Sequence, residues 1–318
     1  MPPSIDVVIV AYNRYELTDS CLRHLARQSI AHRVILVDNG STDVTGEQVA
    51  QQWPDIRLLR LTGNRGFAEA CNLGVGSGDG EVVVLINNDV DCRPDFLERL
   101  VEPLAGDPSL GSVASLMLQP GGETIDSFGL RADSTLACFP ALQGHRAGEA
   151  QTPPAPIAGP AGTAAAYRRA AWEQVGGLDE AIFAYMEDFD IALRLRSAGW
   201  STTAAADALG VHLGSATHTH RSAWQRRHGG FGRGYLLRRY GVLRGRSAPR
   251  ALVTEAIVVL GDLAISRDPA ALRGRVSGWR AAGGRPRLPT PPPEAIDATI
   301  SLRDSLALRR GAYGRRAA

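Results

Sequence analysis

Ile5-Asp6-Val7-Val8-Ile9-Val10, running on into Ala11-Tyr12-Asn13-Arg14, is the stretch whose reading decides the fold. An almost unbroken β-branched run predicts a strand covered on both faces, the condition of a parallel sheet sandwiched between helices. Leu17, Cys21, Leu22 and Leu25 then recur at helical spacing, so a helix is expected over 15–28. Outward from there the alternation continues, with strands over 33–37, 56–61 and 81–86 and helices over 44–52 and 67–75. This order predicts a doubly wound α/β sheet.

Such sheets bind ligands beyond the carboxyl ends of their strands. The polar clusters fall there: Tyr12-Asn13 after the first strand, 38–43 after the second, 64–67 after the third and 87–91 after the fourth. All four are therefore expected to line one crevice. From 107 to 163 the pattern weakens, with a strand expected over 112–118 and a Pro-rich loop around 153–160, a region expected to shape the acceptor side. Helical periodicity returns over 168–175 and 188–197, separated by Gly176-Gly177. The chain thus reads as a catalytic unit over 1–220, a basic helical extension over 221–284, and a Pro-rich linker with a tail open to disorder over 285–318.

A hydrophobic content of 44% in 318 residues supplies a globular core and excludes disordered and fibrous classes. The formal charge is only +2, yet residues 1–220 carry 15 arginines against 27 acids, and residues 221–318 carry 20 against 6. An acidic body thus bears a basic extension, whose partner is an anionic surface, a phosphorylated ligand or the body itself. Lysine is absent, so composition overstates selection for arginine. Cys21, Cys71, Cys92 and Cys138 show no metal-type spacing, which makes a reduced, cytoplasmic setting the expectation. No secretory pattern opens the chain. The apolar stretch 251–265 is shorter than the ~20 residues that span a bilayer, leaving peripheral contact with the inner face of the cell membrane open.

In Val37-Asp38-Asn39-Gly40-Ser41-Thr42-Asp43 a carboxylate sits at a strand end before a turn into a helix. It can accept from a base or ribose while the helix N-terminus favours phosphate; the segment equally reads as a βα turn in which Asp43 caps the helix. Asn87-Asn88-Asp89-Val90-Asp91 places carboxylates where Mg²⁺ or Mn²⁺ can be held through oxygen against a departing diphosphate. Asp89 is the better ligand, and Asp91 assists or caps the helix that starts near Pro94. In Met186-Glu187-Asp188-Phe189-Asp190, the i, i+4 spacing of Asp190 and Arg194 reads as a helix-surface ion pair. Glu187 and Asp188 sit at the helix start, where one carboxylate can act as general base for an acceptor hydroxyl.

In this order the motifs resemble the inverting family 2 glycosyltransferases of GT-A fold, a Rossmann-like mixed sheet flanked by helices, and within them the rhamnosyltransferase-like branch. The resemblance covers residues 4–245 and rests further on Val8-Ile9-Val10-Ala11-Tyr12-Asn13-Arg14, Asn64-Arg65-Gly66-Phe67-Ala68 with Asn72 and Gly74, Gly176-Gly177-Leu178-Asp179-Glu180, and Gly199. It implies that Tyr12 and Asp38 contact a pyrimidine base and that Arg65 meets the nucleotide, with Asn13, Asn64 and Asn88 in the same site. It also implies that Asp89 holds the metal beneath the diphosphate, that Asp188 is the catalytic base with Glu187 beside it, and that His212 is a late ligand to the metal or diphosphate. Two positions depart from the family pattern: Ala11 stands where Thr is usual, and Asn87 replaces the first acid of D-x-D, leaving Asp89 as the main ligand.

The implied reaction is an inverting single displacement with dTDP-rhamnose as the leading donor and a UDP-hexose such as galactose, galactofuranose or N-acetylglucosamine as the alternative. A glycan, a lipid-linked carrier or a small molecule is the expected acceptor; a homodimer is compatible with the chain, and no nucleic acid is expected. A dinucleotide-dependent oxidoreductase fits poorly, because Gly74, Gly76 and Gly78 end a helix where a dinucleotide fingerprint opens one. A non-catalytic binding module is the other rival. Between residues 221 and 250, Trp224, Phe231, Tyr235 and Tyr240 interleave with nine arginines, as in an anionic footprint with stacking groups. A solvated or dimer-forming helical face explains that pattern as well. Docking of a lipid-phosphate-linked or otherwise anionic acceptor is the preferred role for these helices.

Overall fold

The structure, a computed structural model, describes residues 3–150, 156–214 and 222–314. Residues 153–155 of the expected Pro-rich loop, the domain boundary at 220/221 and tail residues 315–318 lie outside the described residues. The strands are β1 (Ile5–Ala11), β2 (Arg33–Asp38), β3 (Arg57–Arg60), β4 (Val82–Asn87), β5 (Val90–Cys92), β6 (Leu110–Leu118), β7 (Ile125–Ser127), β8 (Leu130–Ala132), β9 (Cys138–Pro140), β10 (Ala164–Arg168) and β11 (Ser201–His212). The α-helices are α1 (Tyr15–Leu25), α2 (Thr45–Gln52), α3 (Phe67–Gly76), α4 (Phe96–Gly106), α5 (Arg169–Val175), α6 (Glu187–Ser197), α7 (Ala223–Arg239), α8 (Ala248–Ser266), α9 (Ala270–Ala281) and α10 (Leu302–Gly314).

The main sheet runs β3-β2-β1-β4-β10-β6-β11-β5, with β7 on β6. Its first four strands are parallel, Val8 of β1 standing between Ile35 and Leu85. Side chains of β1 alternate between two cores: Val7 and Ile9 join Cys21 and Leu22 of α1 and Phe96 and Leu100 of α4. Val8 joins Cys71 of α3, Trp172 of α5 and Ile191 of α6. Burial on both faces is why the segment is apolar at nearly every position rather than at every second one.

Beyond β4 the sheet is mixed, as the resemblance implies: β10 is antiparallel to both β4 and β6, β11 is parallel to β6, and β5 is antiparallel to β11. Sequence periodicity gave no sign of β10 or β11. Ala164-Ala165-Ala166 is a run of the best helix formers and carries little strand propensity. It is a strand because the exposed backbone edges of β4 and β6 must both be paired, and no larger residue is needed where all three alanines are at most 2% exposed.

A third core ties the extension to the body, joining Leu130, Ile182, Phe189 and Leu193 to Tyr235, Leu236 and Ala251. Gly230 and Gly234 of α7 face the carbonyls of Ala271 and Arg275, while Gly274 and Gly278 of α9 face those of Arg227 and Phe231, and a Cβ on any of the four would collide with that backbone; small residues at four-residue spacing let two helices approach this closely. Many arginines of the extension are spent internally. Despite burial, Arg233 and Arg275 hold the Glu255 carboxyl down at about 2, and Arg250 reaches Asp133 of the body. The segment after 284 differs from the expected linker. Leu288 donates its N–H to Arg239, Asp297 accepts from Arg131, and Ala295 and Ile300 are buried.

Asp6, at the amino end of β1, is fully buried and is the polar knot of that edge. Its oxygens accept from Arg33, Arg169 and the Gly80 N–H. Removing one partner of a buried ion pair strands the others. Asp6→Ala is therefore expected to lower unfolding stability by about 3–5 kcal/mol in denaturant titration.

Candidate active site

Strand order reverses between β1 and β4, because the chain winds outward through β2 and β3 and then returns to the other side of β1. A cleft of about 420 Å³ opens at this switch point. On one side it is lined by Tyr12, Asn39, Asn64, Asn88 and Asp89, from the carboxyl ends of β1 to β4. Asn39 organises this side: its Oδ1 accepts the Arg65 N–H at 2.9 Å and its Nδ2 donates to the Gly66 carbonyl at 3.1 Å. Asn88 donates to Thr18 Oγ1 from α1 at 2.9 Å.

Three of the expected nucleotide residues stand beside the cleft rather than in its wall. Asn13, at φ 59°, accepts the Thr42 N–H on its side chain and donates its own N–H to Ser41. Asp38 is buried and accepts the Ser41 N–H at 2.9 Å. The Asn13 bonds staple the loop after β1 to the loop after β2, and the Asp38 bond holds the latter to the end of its own strand. Arg65 is half exposed and pairs with Glu69 at 3.0 Å.

At the end of β4, Asp89 is 7% exposed and its Oδ1 lies 3.4 Å from His212 Nε2 on the last residue of β11. His212 Nδ1 is 2.8 Å from Asp126 Oδ2. Burial opposes a charged imidazole, but the hydrogen bonds to Asp126 and Asp89 outweigh it and push the His212 pKa up to about 9. Among the described residues no three His, Cys, Asp or Glu side chains converge on one point as a complete metal site. Two ligand-type groups with a carboxylate orienting the imidazole do suit Mg²⁺ or Mn²⁺, which commonly draws its remaining ligands from substrate phosphates and water. Asp91 turns away, accepting from Ser20 of α1 at 2.8 Å, and the helix after it begins behind Asp95.

Across the cleft, Glu187 and Asp188 open α6. Tyr185 and Met186 immediately before them both have positive φ, 67° and 78°, a reversal that side chains rarely adopt. The Asp188 carboxylate accepts the Gly162 N–H at 2.9 Å and the Phe189 N–H at 2.7 Å. Burial raises the Asp188 pKa, and these two backbone donors oppose the rise. Glu187 Oε2 is buried with no hydrogen-bond partner; burial and the neighbouring Asp188 charge push its pKa up to about 8. Both carboxyls are thus harder to ionise than in water, and the two backbone donors favour the charge on Asp188 over Glu187.

Asp190 and Arg194 do pair, at 2.7 Å, but not on the surface as their spacing suggests: Asp190 is fully buried beneath Tyr240. Reading the sequence also missed Asp126, Asn39 and the Gly162-Thr163 turn. Asp126 lies in a three-residue strand without periodicity, and only its tertiary approach to His212 gives it meaning. Trp224, part of the interleaved aromatic pattern, lines the cleft and packs against Phe183, Tyr185 and His228.

The profile of Glycosyl transferase family 2 matches residues 6–176. The chain is 31% identical over 246 residues to the N-acetylglucosaminyl-diphospho-decaprenol L-rhamnosyltransferase of Mycobacterium tuberculosis, covering 69% of this chain and 77% of that protein. Mannosyltransferase PcManGT from Pyrobaculum calidifontis, in complex with GDP-Man and Mn²⁺, aligns with a TM-score of 0.56 at 22% identity, over 98% of this chain and 80% of that one. GalNAc-T7 with UDP, GalNAc and Mn²⁺ aligns with a TM-score of 0.56 at 13% identity, over 80% and 54%. The fold is the GT-A arrangement expected from the sequence.

The pair's unequal titration predicts a pH-dependent stability effect. A carboxyl whose folded pKa is raised from 4.5 to about 8 favours the folded state below 4.5 and loses that contribution as pH rises toward 8. Glu187→Gln is therefore expected to melt higher than the wild-type chain at pH 8, with the difference vanishing below pH 4.5. Parallel melting curves across this range would show that Glu187 titrates normally.

Proposed function

Given that the chain belongs to glycosyl transferase family 2 and is a glycosyltransferase, we propose that it transfers an L-rhamnosyl unit from dTDP-rhamnose to a hydroxyl of a sugar carried on a prenyl diphosphate. The rhamnosyl and lipid-linked parts of this reading rest on the Mycobacterium relative, whose name states both. The chemistry rests on one observation: a buried carboxylate, Asp188, is fixed by two backbone N–H groups in the cleft that also contains Asp89 and His212.

The proposed reaction is a single inverting displacement. Asp188 takes the proton of the acceptor hydroxyl as that oxygen bonds to the anomeric carbon, and the bond from that carbon to the diphosphate oxygen breaks on the opposite face. Hydrogen bonds from Gly162 and Phe189 hold the base in one orientation. Glu187, kept protonated, adds no second negative charge beside it. Asp89 and His212 would hold Mg²⁺ or Mn²⁺, which supplies charge neutralisation of the departing diphosphate. Asp126 orients His212. Tyr12, Asn64 and Asn88 form the nucleotide side; Asn13, Asp38 and Arg65 shape its loops.

A panel of dTDP- and UDP-sugars, assayed for turnover with Mg²⁺ or Mn²⁺, tests these assignments. Asp188→Asn is expected to lower kcat by about 10²- to 10⁴-fold with donor affinity little changed. Asp89→Ala is expected to raise the metal concentration needed for half-maximal activity. Full activity in both variants would overturn the site. Preference for a UDP-hexose would replace the donor assignment and leave the base in place.

A further inference from the structure

Helix α8 is built inside out. Its charged residues, Arg250, Glu255 and Asp262, face the protein and pair with Asp133, Arg233 and Arg226. Its outer face carries Leu252, Val253, Ile257, Leu260 and Ile265, which are 42% to 75% exposed. Val253, Ile257 and Leu260 fall within about 60° of one another around the helix. A surface helix normally presents charge to water and apolar groups to the core; a contiguous exposed apolar face marks a docking surface. On α9, Leu272 and Val276 are also exposed.

The charge around this face selects its occupant. Exposed arginines stand at both ends of α8, Arg244 and Arg246 ahead of it and Arg267 behind it, followed by Arg273 and Arg280 on α9. The acids of residues 222–290 are each held on an arginine, Glu255 on Arg233 and both Asp262 and Asp268 on Arg226. An apolar stripe bordered by exposed arginines that outnumber the nearby exposed acid, Asp304 of α10, fits the interface of an anionic bilayer, where the stripe enters the acyl boundary and the arginines reach the headgroups. A second copy of the chain would instead bring the same arginines face to face around a two-fold axis. Among the described residues no helix is long and apolar enough to cross a membrane.

We propose that the outer face of α8, with the exposed arginines flanking it and those of α9, docks this chain flat on an anionic lipid bilayer. The proposal goes beyond the transfer reaction and does not depend on it. It also places the cleft relative to the bilayer. Arg226, which binds Asp262 of α8, follows directly on Trp224 and Gln225 of the cleft wall.

Flotation of the full chain with phosphatidylcholine–phosphatidylglycerol vesicles tests this, with vesicles of phosphatidylcholine alone as the comparison. The wild-type chain is expected to float with the anionic vesicles, less so at high salt. Ile257→Glu/Leu260→Glu is expected to weaken binding by more than about tenfold, while its melting temperature and its sugar-nucleotide turnover in vesicle-free buffer stay at wild-type values. Arg267→Gln/Arg273→Gln is expected to reduce the preference for phosphatidylglycerol. Three results would each overturn the proposal: no flotation of the wild-type chain, equal flotation of the Ile257→Glu/Leu260→Glu variant, or a wild-type dimer that this variant converts to monomer.

Discussion

Two consecutive left-handed residues, Tyr185 and Met186, are the constraint on which the acid side of the cleft depends. Neither is glycine or asparagine, so the reversal is costly by itself and persists only where the surroundings over-determine it. Those surroundings close from two directions, the start of α3 and the extension. The Phe67 N–H donates to the Phe183 carbonyl at 2.7 Å. Gly66 lies so close to Phe183 that a Cβ there would meet its carbonyl oxygen at 2.6 Å. From the extension, Gly232 of α7 approaches equally closely, with a Cβ position 2.6 Å from the Tyr185 carbonyl oxygen. The turn directs the first residues of α6 into the cleft, and the Gly162 N–H then fixes Asp188.

The electrostatics of the site follow from what each carboxylate is given. Glu187 and Asp188 are adjacent in sequence and both are withdrawn from water, yet only Asp188 receives backbone donors. That asymmetry favours the charge on the residue proposed as base. On the opposite side, Asp89 and Asp126 flank one imidazole, which fixes the orientation of the His212 ring at the proposed diphosphate end. The extension contributes mainly through packing. Its glycines let α7 and α9 touch, and its inward-facing arginines neutralise acids that would otherwise be buried alone.

What the sequence makes legible depends on whether the signal is local. Strands β1, β2 and β4 announce themselves because burial on both faces demands apolar side chains at successive positions, and the polar residues ending them mark the cleft. Asp89, Glu187, Asp188 and His212 could be picked out because each sits in a short motif. Strand β10 was invisible, since three alanines carry no strand preference and their conformation is imposed by β4 and β6. Asp126 was missed for a related reason: its partner lies 86 residues away. The left-handed turn before α6 has no turn-forming residue to betray it. The arginine surplus was seen, but sequence could not tell which arginines are spent on Glu255, Asp133 and Asp262 and which face outward.

If Asp188 serves as a base rather than a nucleophile, transfer takes place in one displacement and the sugar changes configuration once. A covalent glycosyl-enzyme would invert it twice. Following the anomeric proton of the first-formed product by NMR, against the known configuration of the donor, tests this most directly. An inverted anomeric centre is the expected result; a product that retains the donor's configuration would contradict it.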